Sequence, residues 1–372
     1  MRILTLSLEQ FRSYKELKLT FPATKNVHLF VGPNAAGKTN ILEAVSVLGL
    51  TKSFQGAEDG DLLHWDTEFY RVRAETEADD GSETKLEVVS QILPRKQKVC
   101  YRNDVRVSIG DMVGALPIVQ FLPQDLDLFS GPPQQRRLFL DRLLSQVSPA
   151  YLRALVQMQE VLKQRNSLLR SVADGVAKPA DLSVWDEQFA SQAAQVTLQR
   201  LELIEVLQCT LVEELSALGD SMPDAELVYM RKGEARDHFT LREELVMLLE
   251  QARERDLILQ STSIGPHRED WHFMVGNRPL PSFASRGQQR AAVLALAFLQ
   301  VSFLELRRGE KPVVLLDDVF SELDDAHQSA LLSNLSNHQV LITATHVPEQ
   351  LHGSSVWKVE EGKVKSEKLM VK

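Results

Sequence analysis

The stretch Gly32-Pro33-Asn34-Ala35-Ala36-Gly37-Lys38-Thr39-Asn40 sets two glycines ahead of a lysine and a hydroxyl residue. Glycines let backbone N–H groups wrap phosphate oxygens, lysine reaches the β- and γ-phosphates, and the threonine hydroxyl ligates Mg²⁺. Residues 32–40 are therefore candidate contacts for a nucleoside triphosphate. A chance glycine-rich turn is the plainer reading. Against it, a short apolar run, Val27–Val31, comes before, and Ile41, Leu42, Val45 and Leu48 recur at helical spacing after Lys38.

Two further clusters suit the same chemistry. Val313-Val314-Leu315-Leu316-Asp317-Asp318 is an apolar strand ending in two carboxylates, and strand ends are where α/β sheets present ligands. Asp317 suits Mg²⁺ and Asp318 suits orientation or deprotonation of an attacking water, although a solvated Asp-Asp pair is the simpler alternative. Upstream, Ser285-Arg286-Gly287-Gln288-Gln289-Arg290 leads into the helical stretch Ala291–Leu306. Small residues at a helix start allow backbone N–H groups to approach a γ-phosphate; an ordinary Ser285 cap explains the same residues.

The elements that must position these groups come in blocks. Residues 1–30 read as strands, and residues 69–107 as short alternating strands with turns at Asp79-Asp80-Gly81-Ser82 and Asn103-Asp104. Gln134 to about Glu254 reads as long helices broken at Asp174–Pro179, with the second helix over Leu182–Leu218. Strand character returns at Trp271–Val275, Val313–Leu316, Val340–Thr343 and Ser355–Val359. Lys38 and Asp317 lie 279 residues apart, too far for a small GTPase, so something is inserted into the nucleotide-binding fold.

Composition sets the outer bounds. At 372 residues, 44% apolar and 25% charged, the chain has material for two ordinary domains. Two distant cysteines supply neither a disulfide framework nor a zinc site. Residues 1–10 lack a leader's apolar core, and the longest apolar run, Ala291–Leu299, is about half a membrane span. A soluble, cytoplasmic protein without a membrane partner is the expectation. A net charge of −9 argues only against a protein basic all over.

Together these motifs resemble the ATPase heads of the ABC and SMC class, with Ser285–Gln288 as signature, Asp317-Asp318 closing Walker B and Ser321–Asp324 as D-loop. Further motifs narrow the resemblance to the RecF family of bacterial recombination mediators. They are Phe11-Arg12-Ser13-Tyr14, Glu43-Ala44, Arg136-Arg137-x-Phe139-Leu140-Asp141 and Gly265-Pro266-His267-Arg268-Glu269-Asp270. The resemblance implies an α/β ABC-type head from residues 1–123 and 256–372, with a helical arm, 124–255, inserted. It implies ATP and Mg²⁺ as cofactors, ATP-dependent homodimerisation on DNA near single-strand gaps, and slow, DNA-stimulated hydrolysis that releases it. RecR and RecO become expected partners in replication, gap repair and the SOS response.

Carried onto this chain, Arg12, Lys38, Thr39 and Asp317 act on the nucleotide of their own subunit. Ser285 and Gly287 meet its γ-phosphate across the dimer, and Gln288 and Asp324 of the D-loop are further nucleotide-binding residues. Gln124 stands for the Mg²⁺- and water-contacting glutamine and His346 for the switch histidine, where a solvated strand-end histidine is an equal reading. Asp318 is one methylene shorter than the usual ABC glutamate, which suggests slow turnover. DNA contact must come from local charge: Arg95, Lys96, Lys98, Arg102 and Arg106 oppose only Asp104, and Arg136 and Arg137 open a second basic run. Such clusters suit phosphate without sequence reading, or are solvated charge runs.

Rival plans fit less well. A transporter ATPase does not carry so long a helical block, an SMC-like tether needs hundreds of heptad residues, and an overcoming-lysogenization-type nuclease needs a further carboxylate-rich domain.

Overall fold

The computed structural model describes residues 1–351 and 353–367, without the side chains of Ser321 and Glu367. In chain order the first unit contributes β1 (Arg2–Phe11), β2 (Tyr14–Thr20), β3 (Val27–Val31), α1 (Lys38–Leu50), β4 (Phe69–Glu77), β5 (Glu83–Gln91), β6 (Gln97–Arg102), β7 (Val105–Val107), α2 (Ile109–Met112) and β8 (Ile118–Phe121). The second contributes α3 (Pro133–Val147), α4 (Pro149–Ala173), α5 (Leu182–Ala217), β9 (Ala225–Met230), α6 (His238–Gln251), α7 (Arg253–Leu259), β10 (Asp270–Val275) and β11 (Arg278–Pro279). The chain then returns to the first unit with α8 (Arg286–Arg308), β12 (Val313–Asp317), α9 (Asp325–Asn334), β13 (Val340–Ala344), β14 (Ser355–Glu360) and β15 (Lys363–Glu367).

The first unit comprises residues 1–127, 217–220 and 286 onward. One of its sheets is antiparallel, in the order β2-β1-β4-β5-β6-β7; the other runs β15-β14-β3-β13-β12-β8 and is parallel from β14 to β8. Parallel strands covered on both faces need unbroken apolar runs, and Val-Val-Leu-Leu-Asp and Val-Leu-Ile-Thr-Ala are buried at every position. Helix α1 is buried nearly all round and shares one core with both sheets: Ile41, Leu42, Val45 and Leu48 join Leu6, Leu8, Val72 and Val88 on one side and Leu315 and Leu341 on the other. Gly49 allows the close approach, since a Cβ there would sit 2.9 Å from the Leu116 carbonyl oxygen. Helix α8 is long and apolar enough to cross a membrane, but 67% of its most apolar window is buried within the protein, as in a core helix.

The second unit, residues 128–216 and 221–285, is held together by buried arginines, two of them almost fully enclosed. Arg165 on α4 donates to Asp186 on α5 (2.7 Å) and to Asp256 on α7 (2.8 Å), so one guanidinium ties three helices. Arg200 on α5 donates to Asp141 on α3 (2.7 Å) and to the Pro266 carbonyl (2.8 Å). Removing one partner of such a pair strands a buried charge, which typically costs about 3–5 kcal/mol.

The boundaries differ from the expected 124–255. Residues 256–285 stay with the helical unit, because β10 pairs with β9 and packs on α3, while residues 124–127 stay with the first. Strand β9 itself fell inside the expected helical block; the turn-rich Gly219–Asp224 ahead of it was the available signal. Helix α8 starts earlier than expected, at Arg286, which puts the Gly287 motif inside its first turn. Residues 352 and 368–372 of the expected head lie outside the described residues.

His28 is buried in β3, its ring edge-on to Phe21 at 4.8 Å, with no hydrogen-bond partner to either ring nitrogen among the described residues. Burial, with Arg2 adding to it, pushes its imidazole down to about 4 from the ordinary 6.5. The unfolded chain therefore binds the proton first, and stability present above the ordinary value is lost as pH falls towards the folded one. Urea unfolding should show a smaller loss between neutral pH and pH about 5 in His28→Leu than in the parent chain; equal losses would contradict the assignment.

Candidate active site

Three adjacent parallel strands end at one place. β3 runs into the glycine loop, β13 pairs with it so that Ala344 meets Val31, and β12 pairs with β13 so that Asp317 meets Thr343. The register alone brings the two distant motifs together. Thr39 donates from its hydroxyl to Asp317 Oδ1 at 2.8 Å, and Thr343 donates to the same oxygen at 2.8 Å. Burial pushes the Asp317 carboxyl up, while the two threonine hydroxyls draw it back down. A buried carboxylate under that load suits a divalent cation, which would offset its desolvation.

Two glycines fix the loop. A Cβ on Gly32 would stand 2.1 Å from the Val359 carbonyl oxygen of β14. Gly37 has φ +104°, and a Cβ there would meet the Ser13 hydroxyl at 2.6 Å. Ala35 also takes a positive φ (64°), so the loop curls without glycine at that step. Pro33 and Asn34 complete the loop, Ala36 closes a turn onto the Pro33 carbonyl, and Asn40 donates to the Ser13 hydroxyl at 2.9 Å. Lys38 is 4% exposed, and its ammonium donates to the Gly32 and Pro33 carbonyls at 2.9 and 3.0 Å. A buried cation resting on neutral carbonyls fits a loop that receives phosphate. The residues present therefore fit both ATP and Mg²⁺.

Asp318 follows Asp317 in a left-handed conformation (φ 54°), with its amide donating to the Thr343 hydroxyl at 2.9 Å. Backbone strain of this kind in a non-glycine residue gathers at functional sites. Arg12, on the turn between β1 and β2, is likewise left-handed (φ 51°). Its Nε and Nη2 both donate to the buried Glu43 at 2.8 Å, which holds the guanidinium more firmly protonated. Glu43 and Thr343 had no assigned role at the site on sequence grounds. Their strand and helix positions were legible, their partners were not.

The remaining candidates are placed as follows. Gly287 is exposed in the first turn of α8, Ser285 lies just before it, and Gln288 is half-buried one residue on. Arg290, a turn further along, donates to Glu322 at 2.9 Å, joining the signature helix to the D-loop. Asp324 caps α9 by accepting the His327 amide at 2.9 Å. Gln124 is exposed on a single helical turn, Pro123–Asp127, and His346 is exposed just past β13, with its ring 3.1 Å from the Thr345 hydroxyl.

The basic candidates divide. Arg95 and Arg102 are exposed, and Lys96 is 63% exposed with only a loose contact to Glu58 at 3.6 Å. Lys98 is turned inward instead, donating to Asp59 at 2.6 Å and to the Thr51 carbonyl at 2.8 Å. Arg136 is a correction to the expected phosphate surface: it is 7% exposed and doubly bonded to Asp270 at 2.9 and 2.7 Å, so its charge is spent inside the helical unit. Arg137 is half-buried, and burial with Arg200 nearby pushes its guanidinium down.

Comparisons with known proteins converge. The family model described as RecF/RecN/SMC N terminal domain matches residues 2–365. A DNA replication and repair protein RecF from Halalkalibacterium halodurans is 36% identical, over 98% of this chain and 99% of its own length. One from Streptococcus pneumoniae is 36% identical over 96% and 97%. Among solved structures, the recombination mediator protein RecF with ATP, of the RecFOR pathway, superposes with a TM-score of 0.90 at 31% identity, over 99% of this chain and 98% of that one. An SMC head bound to a ScpA domain, at 16% identity and TM-score 0.54, shares the fold.

Gly32→Ala should lower the unfolding free energy by about 1–3 kcal/mol and abolish ATP binding, because the clashing atom belongs to the β14 backbone. Calorimetry with and without ATP checks this; a variant as stable and as ATP-responsive as the parent would contradict it.

Proposed function

The chain belongs to the RecF family, in the RecF/RecN/SMC N-terminal-domain class, and we propose from that premise that it is an ATP-gated DNA clamp of replication and repair. The observation that carries the reading is the Thr39–Asp317 hydrogen bond, which joins the phosphate loop to the Walker B strand across 278 residues of sequence. Lys38 and backbone amides of the glycine loop, to which Pro33 contributes none, take the phosphates, while Thr39 and Asp317 would hold the cation. Mg²⁺, when bound, neutralises charge on the β- and γ-phosphates.

Asp318 orients a water towards the γ-phosphorus and accepts its proton as the bond to the β-phosphate oxygen breaks, leaving ADP and phosphate. Its short side chain sets the water less favourably than a glutamate would, so turnover is slow, and DNA binding speeds it. Gln124, just past β8, and His346, just past β13, assist with the water and the γ-phosphate. Asp324 supports the nucleotide across the dimer through the D-loop.

Ser285, Gly287 and Gln288 of one subunit meet the γ-phosphate held by the other. ADP lacks that bridge, so hydrolysis loosens the homodimer and releases DNA. DNA is met through phosphate by Arg95, Lys96, Arg102 and Arg137, without sequence reading. The solved relative's place in the RecFOR pathway supports RecR and RecO as partners. The setting is cytoplasmic.

Anisotropy of a labelled gapped duplex should rise with protein and ATP, and much less with ADP or no nucleotide. Lys38→Ala should abolish the rise. Affinity should fall with salt at a logarithmic slope of about −5, as for roughly six phosphate contacts. Equal binding in all three nucleotide states would remove the γ-phosphate switch.

A further inference from the structure

Arg12 is held at four points. Its amide donates to the Leu62 carbonyl at 2.8 Å, and its own carbonyl accepts from His64 Nδ1 at 2.8 Å. Its Nε and Nη2 donate to the two oxygens of Glu43, each at 2.8 Å. Glu43 lies on α1, five residues past Lys38, and is 0% exposed; the Ser53 hydroxyl also donates to its Oε1. The neighbouring Ser13 packs on Gly37 and receives Asn40, so the turn carrying Arg12 is fixed against the end of the phosphate loop.

A guanidinium is a planar fork with five donors. Glu43 occupies one edge of it. The Nη1 end remains, on a side chain that is still 23% exposed. A fully buried carboxylate costs desolvation, and here that cost secures the aim of a single arginine whose backbone is already strained.

We infer that Glu43 is a positioning residue for nucleotide binding, acting through Arg12 by clamping one edge of the guanidinium so that the other faces the triphosphate. This rests on the reading of Arg12 as a nucleotide contact. Left unclamped, Arg12 would spread over many rotamers and lose its orientation before ATP arrives. Glu43 touches no phosphate itself, so its whole effect on ATP passes through Arg12.

A double-mutant cycle on ATP binding separates the possibilities, with a fluorescent ATP analogue titrated into the full chain and thermal unfolding recorded for each variant. Arg12→Ala should weaken ATP binding about tenfold or more, and Glu43→Gln should weaken it about tenfold. In the Arg12→Ala background, Glu43→Gln should then change affinity less than about twofold. Glu43→Asp keeps the charge and only withdraws the oxygens; it serves the same cycle should Glu43→Gln fail to fold. Additive losses would overturn the inference, as would a Glu43 variant that binds ATP like the parent while Arg12→Ala does not. Parent-like binding by Arg12→Ala would instead overturn the reading of Arg12 on which the inference rests.

Discussion

One buried carboxylate organises the head. Asp317 closes β12 where the sheet ends, and its Oδ1 accepts two hydroxyls, from Thr39 on α1 and Thr343 on β13. A carboxylate at 8% exposure must be compensated, and these two donors come from the phosphate-loop helix and the neighbouring strand. The same contact therefore seals α1 to the sheet. The parallel order β3-β13-β12 is what allows it, because only that order lays the glycine loop, Thr343 and Asp317 side by side.

The helical unit depends on a different kind of interaction. Arg136, Asp141, Glu269 and Asp270 belong to the two motifs that most narrowly suggest the family, yet they face inward. Arg136 grips Asp270, Arg200 grips Asp141, and Glu269 accepts from Tyr229 at 2.8 Å and Thr197 at 3.2 Å. Motif residues in this unit thus build a polar skeleton that fixes the turn at Gly265–Asp270 against α3 and α5. Replacing a buried ion pair of this sort by apolar groups is often neutral, whereas removing one partner strands a charge.

Much of this was legible in the sequence. Val27–Val31 and the helix opening at Lys38 could be read because an unbroken apolar run, a glycine loop and a helical period each have a local cause. Local causes stop at side-chain partners. Arg136 looked like a surface base because its partner, Asp270, lies 134 residues away, and Lys98 looked like one because Asp59 sits on another element. β9 is hidden in the sequence for a related reason: Ala-Glu-Leu-Val-Tyr-Met alternates weakly, and its identity as a strand comes from pairing with β10. Glu43 reads as an ordinary helix acid until the turn bearing Arg12 is folded over it.

In the proposed clamp the γ-phosphate bridges two copies of the chain. The most direct measurement is the solution mass by light scattering with ATP and Mg²⁺, with ADP and Mg²⁺, and without nucleotide, for the parent chain and for Ser285→Arg. The account predicts a doubled mass with ATP alone, and a Ser285→Arg protein that binds ATP yet stays single. A mass that ignores the nucleotide, or a Ser285→Arg protein that doubles as the parent does, would contradict it.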